Sequence, residues 1–272
     1  SRDYVRQAMA RQKPQHIPVM CQLAIGDILL NTGVESIDFN FTNDGFAEGV
    51  IKARELYDFD GILLHKPGRE ESIMEIVERI EDCDEGKMMV LKDGAVIINT
   101  YNDDPKYYPS SDTSGAFDGY PLIDDVNLNR PFDWMPESFY HWCLHKGLHP
   151  WRKVEDFPDY YYVTIDKVLA RVGNTYSVHG ETKAPSDYLF NYLGLQNSLI
   201  SLIESPDKCK EILDYFTENC IAWSVAQIKR GCDAIKVSSP YAGGSFISRE
   251  HYREFIFPYE KRLADAVKEA GG

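Results

Sequence analysis

The sequence predicts an α/β protein whose strands form a parallel sheet. Apolar runs of strand length recur along the chain, amphipathic stretches of helical period separate them, and a glycine precedes several of the runs. Strand, loop and helix repeated in this order are typical of βαβ units. An open doubly wound sheet and a (β/α)8 barrel both fit this pattern, so periodicity alone leaves the architecture open.

Composition narrows the class of protein. The 272 residues are 43% apolar, which is enough for a substantial core. The formal net charge of −14 repels polyanions, so we expect neither nucleic acid nor an anionic membrane surface as a partner. The sequence shows no apolar run of membrane-spanning length and no signal peptide, which predicts a cytoplasmic protein. The six cysteines lack CxxC spacing and are expected to be reduced thiols.

The first part of the chain contains two predicted strands. A short basic helix over 2–11 precedes the apolar run IPVMCQLA at 17–24, which is predicted as a first strand buried on both faces. Apolar residues at helical spacing predict helices over 27–31 and 44–56. The second strand is predicted within FDGILLHKPG, residues 59–68.

Residues 69–158 interrupt this alternation and are predicted to form a lid or insertion. An acidic helical stretch is expected over 70–81, and Lys92-Asp93-Gly94 between two apolar runs predicts a β-hairpin. The rest is rich in Pro, Asp, Gly and aromatic residues. A loop of that length inside a domain is usually functional, and the aromatic residues favour a packed lid.

Regular alternation returns after residue 158. A helix is predicted to end before Gly173, and TYSVHGE at 175–181 is the third strand. A long helix is expected to begin at Pro206 after Ser205 as N-cap and to end at Gly231. The fourth strand is DAIKVSS, and Ser248 is expected to cap a last helix that Pro258 divides in two.

Polar residues that directly follow the predicted strands are candidate ligand-binding residues. In both architectures the ligand lies at the carboxyl ends of the parallel strands. A solvated loop residue or a helix cap would look the same in the sequence. The candidates are Gln22, Asp27, His65, Lys66, Arg69, His179, Glu181, Ser239 and Tyr241.

His179 and Glu181 form the richest of these groups. They alternate around Gly180 at strand spacing, so their side chains are expected to point the same way. A histidine beside a carboxylate can act as a base with its orienting group, or the two can be metal ligands. A buried histidine hydrogen-bonded to a neighbouring carboxylate would give the same pattern.

The segment HWCLHKGLHP, residues 141–150, contains four further potential metal ligands. Two histidines four apart resemble a zinc-binding helical pair, but Gly147 and Pro150 weaken a helix there. We therefore predict a partly buried lid segment rather than a metal site. The potential ligands are His141, Cys143, His145 and His149.

Three segments resemble the uroporphyrinogen decarboxylase superfamily. The last 42 residues, GCDAIKVSSPYAGGSFISREHYREFIFPYEKRLADAVKEAGG, are similar to its strand entry, small-residue loop, Ser-capped helix and Phe-x-x-Pro-Tyr motif. HGETKAPSDYLFNYLG looks like its Gly-x-x-x-x-Pro segment, and HIPVMCQLA resembles its first strand. The resemblance implies a (β/α)8 barrel over 1–272.

Departures from the family pattern favour the methyltransferase branch of the superfamily over the decarboxylases. The decarboxylase motif Met-Arg-Gln-Ala-Gly-Arg corresponds here to MCQLAIGD, which has no arginine. The functional aspartate of the second strand corresponds to His65 and Lys66. The family tyrosine falls between Asn191 and Tyr192, so Tyr192 is carried over out of register. Uroporphyrinogen decarboxylase, a lyase, remains the alternative, as does a non-catalytic corrinoid- or porphyrin-binding paralogue.

The resemblance to that branch implies transfer of a methyl group between a small methoxylated donor and a corrinoid protein or thiol acceptor, an O-demethylation. It also implies zinc, held by a His-x-Cys pair and a later Cys. Those ligands are expected beyond Gly272, so the chain is expected to be an incomplete barrel that lacks its C-terminal strands. The corrinoid would be carried by a partner protein.

The same resemblance implies roles for the candidate residues. His179 and Glu181 would position the donor or support the metal. His65 and Lys66 would stabilise negative charge on the leaving oxygen. The remaining candidates would bind the substrate, namely Gln22, Asp27, Arg69, Ser239, Tyr241 and Tyr192.

Overall fold

The computed structural model describes residues 2–108, 120–129 and 151–272, and the chain divides into two compact units. The first unit comprises 1–117 and 159–179, and the second comprises 118–158 and 180–272. The chain passes from the first unit to the second in the middle of a strand, between His179 and Gly180.

Four helices precede the first strand of the first unit. They are α1 (Arg2–Met9), α2 (Ile25–Thr32), α3 (Ser36–Phe41) and α4 (Asn43–Tyr57). The α4 helix begins where Thr42 Oγ1 accepts a hydrogen bond from the Gly45 amide at 2.9 Å. The Phe39 and Phe46 rings lie 5.0 Å apart in the core beneath it. The predicted helices over 27–31 and 44–56 are thereby confirmed.

The first unit also contains strand β1 (Gly61–Leu64) and helix α5 (Tyr160–Val172). Thr164 of α5 donates to Asn43 Oδ1 at 2.9 Å, which ties α5 to the start of α4. The Ser177 amide donates to the Asp60 carbonyl at 3.2 Å, next to β1. The second predicted strand and the helix before Gly173 are confirmed.

The predicted first strand at 17–24 is wrong. These residues have no regular secondary structure, and Ile17 and Val19 are 85% and 55% exposed. Pro18 has no amide hydrogen to donate to a ladder. The Val19 amide donates to the Asp60 carboxylate, and the Asp60 amide donates to the Val19 carbonyl. Hydrogen bonds between Val19 and Asp60 therefore hold this apolar segment in place, instead of pairing with a neighbouring strand.

Residues 77–108 of the first unit form a four-stranded antiparallel sheet in the order β2-β3-β4-β5. The strands are β2 (Val77–Cys83), β3 (Gly86–Leu91), β4 (Val96–Thr100) and β5 (Lys106–Tyr108). Val90 pairs with Val96, which confirms the hairpin predicted at Lys92-Asp93-Gly94.

The helix predicted over 70–81 is wrong. A 3-10 helix occupies Glu71–Ile76, and β2 follows it directly. Ile80 pairs with Met89 of β3, so pairing with a neighbouring strand overrides the helical preference of the acidic residues.

The second unit is built around the end of strand β6 (Ser177–Lys183) and strand β7 (Ala234–Ser238). Strand β6 hydrogen-bonds to β1 in the first unit and to β7 in the second. Three helices lie between β6 and β7 in the sequence. They are α6 (Pro185–Leu193), α7 (Leu195–Glu204) and α8 (Pro206–Arg230).

The α8 helix has the predicted bounds, with Ser205 at the N-cap position and Pro206 in the first turn. Its buried face contributes Cys209, Ile212, Leu213 and Phe216 to the core of the second unit. The thiols described by the structure, which exclude Cys143, are all free. Within the described ranges, none of the helices has both the length and the apolar character that crossing a bilayer requires.

The chain ends in a helix that is divided as predicted. Ser248 Oγ accepts a hydrogen bond from the His251 amide at 3.1 Å and caps a helical turn, Arg249–His251. A π-helical stretch, Tyr252–Ile256, follows and leads into α9 (Phe257–Glu269), with Pro258 in its first turn.

Candidate functional site

The predicted site residues are distributed over both units. Gln22, Asp27, His65, Lys66, Arg69 and His179 belong to the first, and Glu181, Tyr192, Ser239 and Tyr241 belong to the second.

A small cleft in the first unit brings Gln22 and His65 together. Its volume of about 20 Å³ holds about one water molecule. The His65 ring meets the Phe46 ring edge to face at 5.2 Å. The other lining residues are Cys21, Leu23, Ile28, Val50, Ala53, Phe59, Ile62 and Leu63, so the cleft is mainly apolar.

Lys66 and Asp27 are both engaged by neighbours in the first unit. Lys66 forms an ion pair with the exposed carboxylate of Asp104. Asp27 Oδ1 accepts hydrogen bonds from Tyr57 and from Asn31, each at 3.2 Å. Asp27 is therefore held at the surface of α2, and its other carboxylate oxygen has no hydrogen-bond partner in the part of the chain that is described.

Arg69 is almost completely buried, with 1% of its surface exposed. Its guanidinium lies 3.8 Å from the centre of the Phe46 ring. It donates to the backbone carbonyls of Pro67, Asn40 and Phe39 at 2.6, 3.2 and 3.5 Å. These contacts give Arg69 a structural role between β1 and α3, and substrate binding by Arg69 stays a prediction.

His179 lies on β6 beside a hydroxyl group. Its Nε2 atom and Ser177 Oγ are 2.9 Å apart and share a hydrogen bond. The two residues are two positions apart on one strand, so they occupy the same face. The hydroxyl can orient the imidazole ring and influence which ring nitrogen carries the proton.

Glu181 forms a largely buried ion pair in the second unit. Its Oε1 atom lies 2.6 Å from Lys236 Nζ, and the two side chains are 13% and 30% exposed. Burial raises the pKa of the Glu181 carboxyl, although the ammonium of Lys236 opposes this. The second oxygen, Oε2, is covered and has no hydrogen-bond partner among the described residues. The carboxyl is thus able to hold a proton at higher pH than an exposed glutamate.

Helix α8 fixes the backbone of Glu181. The Gln227 side chain accepts a hydrogen bond from the Glu181 amide at 3.2 Å and donates to its carbonyl at 3.1 Å. Trp223 Nε1 donates to the same carbonyl at 3.2 Å. Glu181 is therefore held through its main chain as well as through Lys236.

Asp187 is a second buried carboxyl group close to Glu181. It lies in the first turn of α6 and is 4% exposed. Burial raises its pKa, the ammonium groups of Lys183 and Lys236 lower it, and the charge of Glu181 raises it further. Lys236 therefore favours the ionised form of both carboxyl groups, and the charge of Glu181 favours the protonated form of Asp187.

Ser239, Tyr241 and Tyr192 lie beyond this group of charges. The Ala184 amide donates to the Ser238 carbonyl at 2.7 Å, which places the start of Ser239 next to the end of β6. The Tyr241 ring contacts Phe190 at 5.3 Å, and Tyr192 packs half-buried against the hydrophobic core. The two tyrosines thus belong to the apolar packing of the second unit.

Sequence reasoning missed Lys236, Asp187, Gln227 and Trp223. Two of them carried a signal. Lys236 is a charged residue inside the short strand AIKVS, and Asp187 is the fourth residue after the end of β6, in APSD. Gln227 carried no distinguishing signal, because it is one of several buried polar residues on the same helix, with Thr217, Asn219 and Ser224.

The family resemblance implies zinc, which requires several His, Cys, Asp or Glu side chains close together. Over residues 2–108, 120–129 and 151–272, no three His, Cys, Asp or Glu side chains come together as a potential metal site. Oxygen Oε1 of Glu181 is already paired with an ammonium group. The residues described therefore do not fit a zinc site. His141, Cys143, His145 and His149 lie outside the described residues.

Comparisons with known proteins point to one superfamily. Residues 145–272 match the family model described as uroporphyrinogen decarboxylase (URO-D). A methylcobamide:CoM methyltransferase of Methanosarcina mazei is 32% identical over 69 residues, which are 25% of this chain and 20% of the relative. A methylated-thiol–coenzyme M methyltransferase of the same organism is 27% identical over 103 residues, 38% of this chain and 28% of the relative.

The decarboxylase branch is represented as well. A uroporphyrinogen decarboxylase of Rickettsia bellii is 26% identical over 113 residues, 39% of this chain and 33% of the relative. The matched segments therefore span between about a fifth and a third of the curated relatives.

A solved structure shares the fold. A methyltransferase from Methanosarcina mazei superposes with a TM-score of 0.62 at 16% identity, over 97% of this chain and 66% of that one. The α/β fold predicted from the sequence is confirmed, and so is the resemblance to the superfamily with its methyltransferase branch.

Proposed function

The relatives of this chain lie in the uroporphyrinogen decarboxylase superfamily, and on that premise we propose that the protein transfers a methyl group. The donor is a small methoxylated compound, and the acceptor is a corrinoid protein or a thiol. The methyltransferases among the relatives support methyl transfer in general. A (β/α)8 barrel with a lid over 69–158 is the architecture that we propose with it.

The single observation that carries the proposal is the environment of Glu181. Its carboxyl is shielded from water and has a raised pKa, although Lys236 lies 2.6 Å away. A methoxy oxygen is a poor leaving group unless it gains a proton as its bond to carbon breaks. A carboxyl whose pKa lies closer to neutral pH than usual is suited to supply that proton.

In the proposed reaction, the methyl carbon forms a bond to the acceptor while the carbon–oxygen bond of the donor breaks. The leaving oxygen takes the proton of Glu181, and a thiol acceptor releases the proton that restores the carboxyl. Lys236 stabilises the carboxylate in the interval. A corrinoid protein would be an alternative methyl acceptor and is treated as a substrate. It releases no proton on methylation, so a proton from water would then restore the Glu181 carboxyl.

The other predicted residues have supporting roles in this proposal. His179, oriented by Ser177, would position the donor. His65 and Lys66 would stabilise charge on the leaving oxygen, and Lys66 would first have to exchange its partner Asp104. Gln22, Asp27, Ser239, Tyr192 and Tyr241 would contact the donor. These assignments remain proposals.

Uroporphyrinogen decarboxylation is the second candidate, because the Rickettsia bellii decarboxylase matches 39% of this chain. Its substrate carries many carboxylates. The segment MCQLAIGD offers these no arginine, and Glu181 and Asp187 add negative charge when ionised. A paralogue that only binds a corrinoid or porphyrin is the non-enzymatic alternative.

One set of incubations tests these functions. The protein is incubated with a methoxyarene and either a corrinoid protein or a thiol, and demethylated product is measured; a parallel incubation with uroporphyrinogen is examined for coproporphyrinogen. We expect demethylated arene from the wild type and a loss of about 10²-fold in Glu181→Gln. Coproporphyrinogen without demethylation would establish the decarboxylase instead.

A control variant keeps the test specific. Glu204→Gln removes a carboxylate that is exposed at the end of α7, and it should leave turnover unchanged. Equal losses in Glu204→Gln and Glu181→Gln would contradict the role assigned to Glu181.

A further inference from the structure

We infer that Gln227 is a positioning residue for Glu181, and that position 180 is a glycine because Gln227 needs the space. The inference rests on the proposed function in so far as Glu181 is the proton donor. All the residues concerned lie in the second unit.

The hydrogen bonds of Gln227 are reciprocal. Its Oε1 atom accepts from the Glu181 amide at 3.2 Å, and its Nε2 atom donates to the Glu181 carbonyl at 3.1 Å. One side-chain amide thus satisfies both backbone polar groups of Glu181, as a residue of a neighbouring strand would do. The Trp223 indole, one helical turn earlier on α8, donates to the same carbonyl at 3.2 Å.

The spacing at residue 180 matches this interpretation. A Cβ atom built on Gly180 would lie 2.0 Å from Gln227 Oε1 and 2.6 Å from its Cδ atom. Real Cβ atoms essentially never approach another heavy atom within 3.0 Å, so Gln227 would have to move; Ile235 Cδ1 also lies 3.1 Å from the same point. Gly180 does not have the left-handed φ that requires glycine, so the close approach of Gln227, with Ile235 beside it, accounts for the small residue.

Burial makes the arrangement specific. Gln227 is 1% exposed, and a buried amide costs free energy unless both its donor and its acceptor are paired. The side-chain amide of Gln227 makes both hydrogen bonds only if the Glu181 backbone stays in its observed position. The carboxyl on that backbone then reaches Lys236 at 2.6 Å. A displacement of about 1 Å at such a site costs on the order of 10²-fold in rate.

The inference is tested with Gln227→Met, which keeps most of the side-chain length but has no amide. The matched control is Gln196→Met on the exposed side of α7. Two measurements require no turnover. One is hydrogen exchange of the Glu181 backbone amide, and the other is NMR titration of the Glu181 carboxyl in protein with ¹³C-labelled glutamate.

We expect Gln227→Met to accelerate exchange of the Glu181 amide about fivefold to tenfold, the equivalent of about one hydrogen bond. Water that enters beside the strand should also lower the pH at which the Glu181 carboxyl titrates. Gln196→Met should change neither. Unchanged exchange and titration at Glu181 in folded Gln227→Met would overturn the inference.

A further variant, Trp223→Phe, covers the case in which Gln227→Met does not fold. Trp223→Phe keeps the aromatic packing and removes only the indole donor to the Glu181 carbonyl, so it should shift the carboxyl titration in the same direction by less. An unshifted titration there would count against positioning from α8.

The role of Gly180 is tested by a double-mutant cycle. Gly180→Ala should destabilise the protein strongly, and Gly180→Ala combined with Gln227→Ala should lose less than the sum of the two single variants. Additive losses would show that Gly180 and Gln227 do not share one space.

Activity provides the last measurement and separates this inference from the proposed function. If methyl transfer is observed, Gln227→Met should lower kcat with little change in KM. If no turnover is found in the wild type, the proposed function fails, whereas exchange and titration still decide whether Gln227 positions Glu181.

Discussion

The two units use their charged residues differently. In the first unit Lys66 is paired with Asp104, Arg69 donates to three backbone carbonyls, and His179 is bonded to Ser177. In the second unit the carboxyls of Glu181 and Asp187 are largely buried, and each retains an oxygen without a hydrogen-bond partner among the described residues. Asp27 of the first unit also retains such an oxygen, but its other oxygen accepts hydrogen bonds from Tyr57 and Asn31. Paired polar groups stabilise a fold, whereas a buried carboxyl with unused capacity is suited to chemistry.

The largest effect that tests this comparison is expected at Arg69. Arg69→Met should lower the free energy of unfolding by about 3 kcal/mol, because the backbone carbonyls of Pro67, Asn40 and Phe39 lose a buried charged donor. Urea unfolding measures the loss. A raised KM with unchanged stability would instead assign Arg69 to the substrate.

Glu181→Gln should have the next largest effect, on activity rather than stability. A loss of about 10²-fold in kcat corresponds to about 2.7 kcal/mol of transition-state stabilisation. Steady-state assays of demethylation measure it, with Glu204→Gln as control. If Glu181→Gln retains wild-type turnover, the buried carboxyl of the second unit does not act in the reaction, and the contrast between the two units no longer concerns catalysis.

The pH dependence of stability should reveal the two buried carboxyls. Burial raises the pKa of Asp187 above its ordinary value of 3.8 and that of Glu181 above 4.5. At a pH between the ordinary pKa and the raised pKa of each carboxyl, the folded state holds more protons than the unfolded chain, so the free energy of unfolding falls as the pH rises. The stabilising contribution of the two carboxyls is fully present below their ordinary pKa values, and it is lost as the pH rises through the pKa values of the folded state.

Asp187→Asn and Glu181→Gln should therefore flatten the fall in stability above about pH 4. Urea unfolding at a series of pH values measures the slope for each variant. Glu204→Gln should keep the wild-type slope. A wild-type profile in Asp187→Asn would show that this carboxyl is not protonated in the folded state in that range.

The smallest effect is expected at Lys66. The Lys66–Asp104 pair is partly exposed, with the aspartate side chain 60% accessible, so Lys66→Ala should change the free energy of unfolding by less than about 1 kcal/mol. The activity of Lys66→Ala then sharpens the comparison. If kcat is unchanged, Lys66 has no part in the reaction, as expected if the reacting groups lie in the second unit. A large loss of kcat would instead support a role for Lys66 in the reaction.

Local signals in the sequence predicted much of the fold. The bounds of α8 follow from Pro206 and Gly231, and the hairpin follows from Lys92-Asp93-Gly94, because caps and turns depend on residues that are adjacent in the chain. The two wrong elements, at 17–24 and 70–81, depend on residues outside the predicted segments. Asp60 takes the Val19 amide, and Met89 pairs with Ile80.

The candidate site divides in the same way. Glu181 was predicted because it stands at the end of the predicted strand TYSVHGE, which is visible in the sequence. Gln227 was not predicted, because its role depends on which face of α8 packs beside Glu181, and Glu181 lies 46 residues away in the chain.

The sequence by itself determined the bounds of α8, the cap at Ser248, the hairpin turn and the resemblance to the superfamily, since each depends on residues near one another in the chain. The tertiary structure alone decided that Arg69 lies among carbonyls, that Lys236 meets Glu181, and that Gln227 occupies the space left by Gly180. Burial and pairing arise only when distant segments pack together, and they determine which of several similar charged residues keeps a proton.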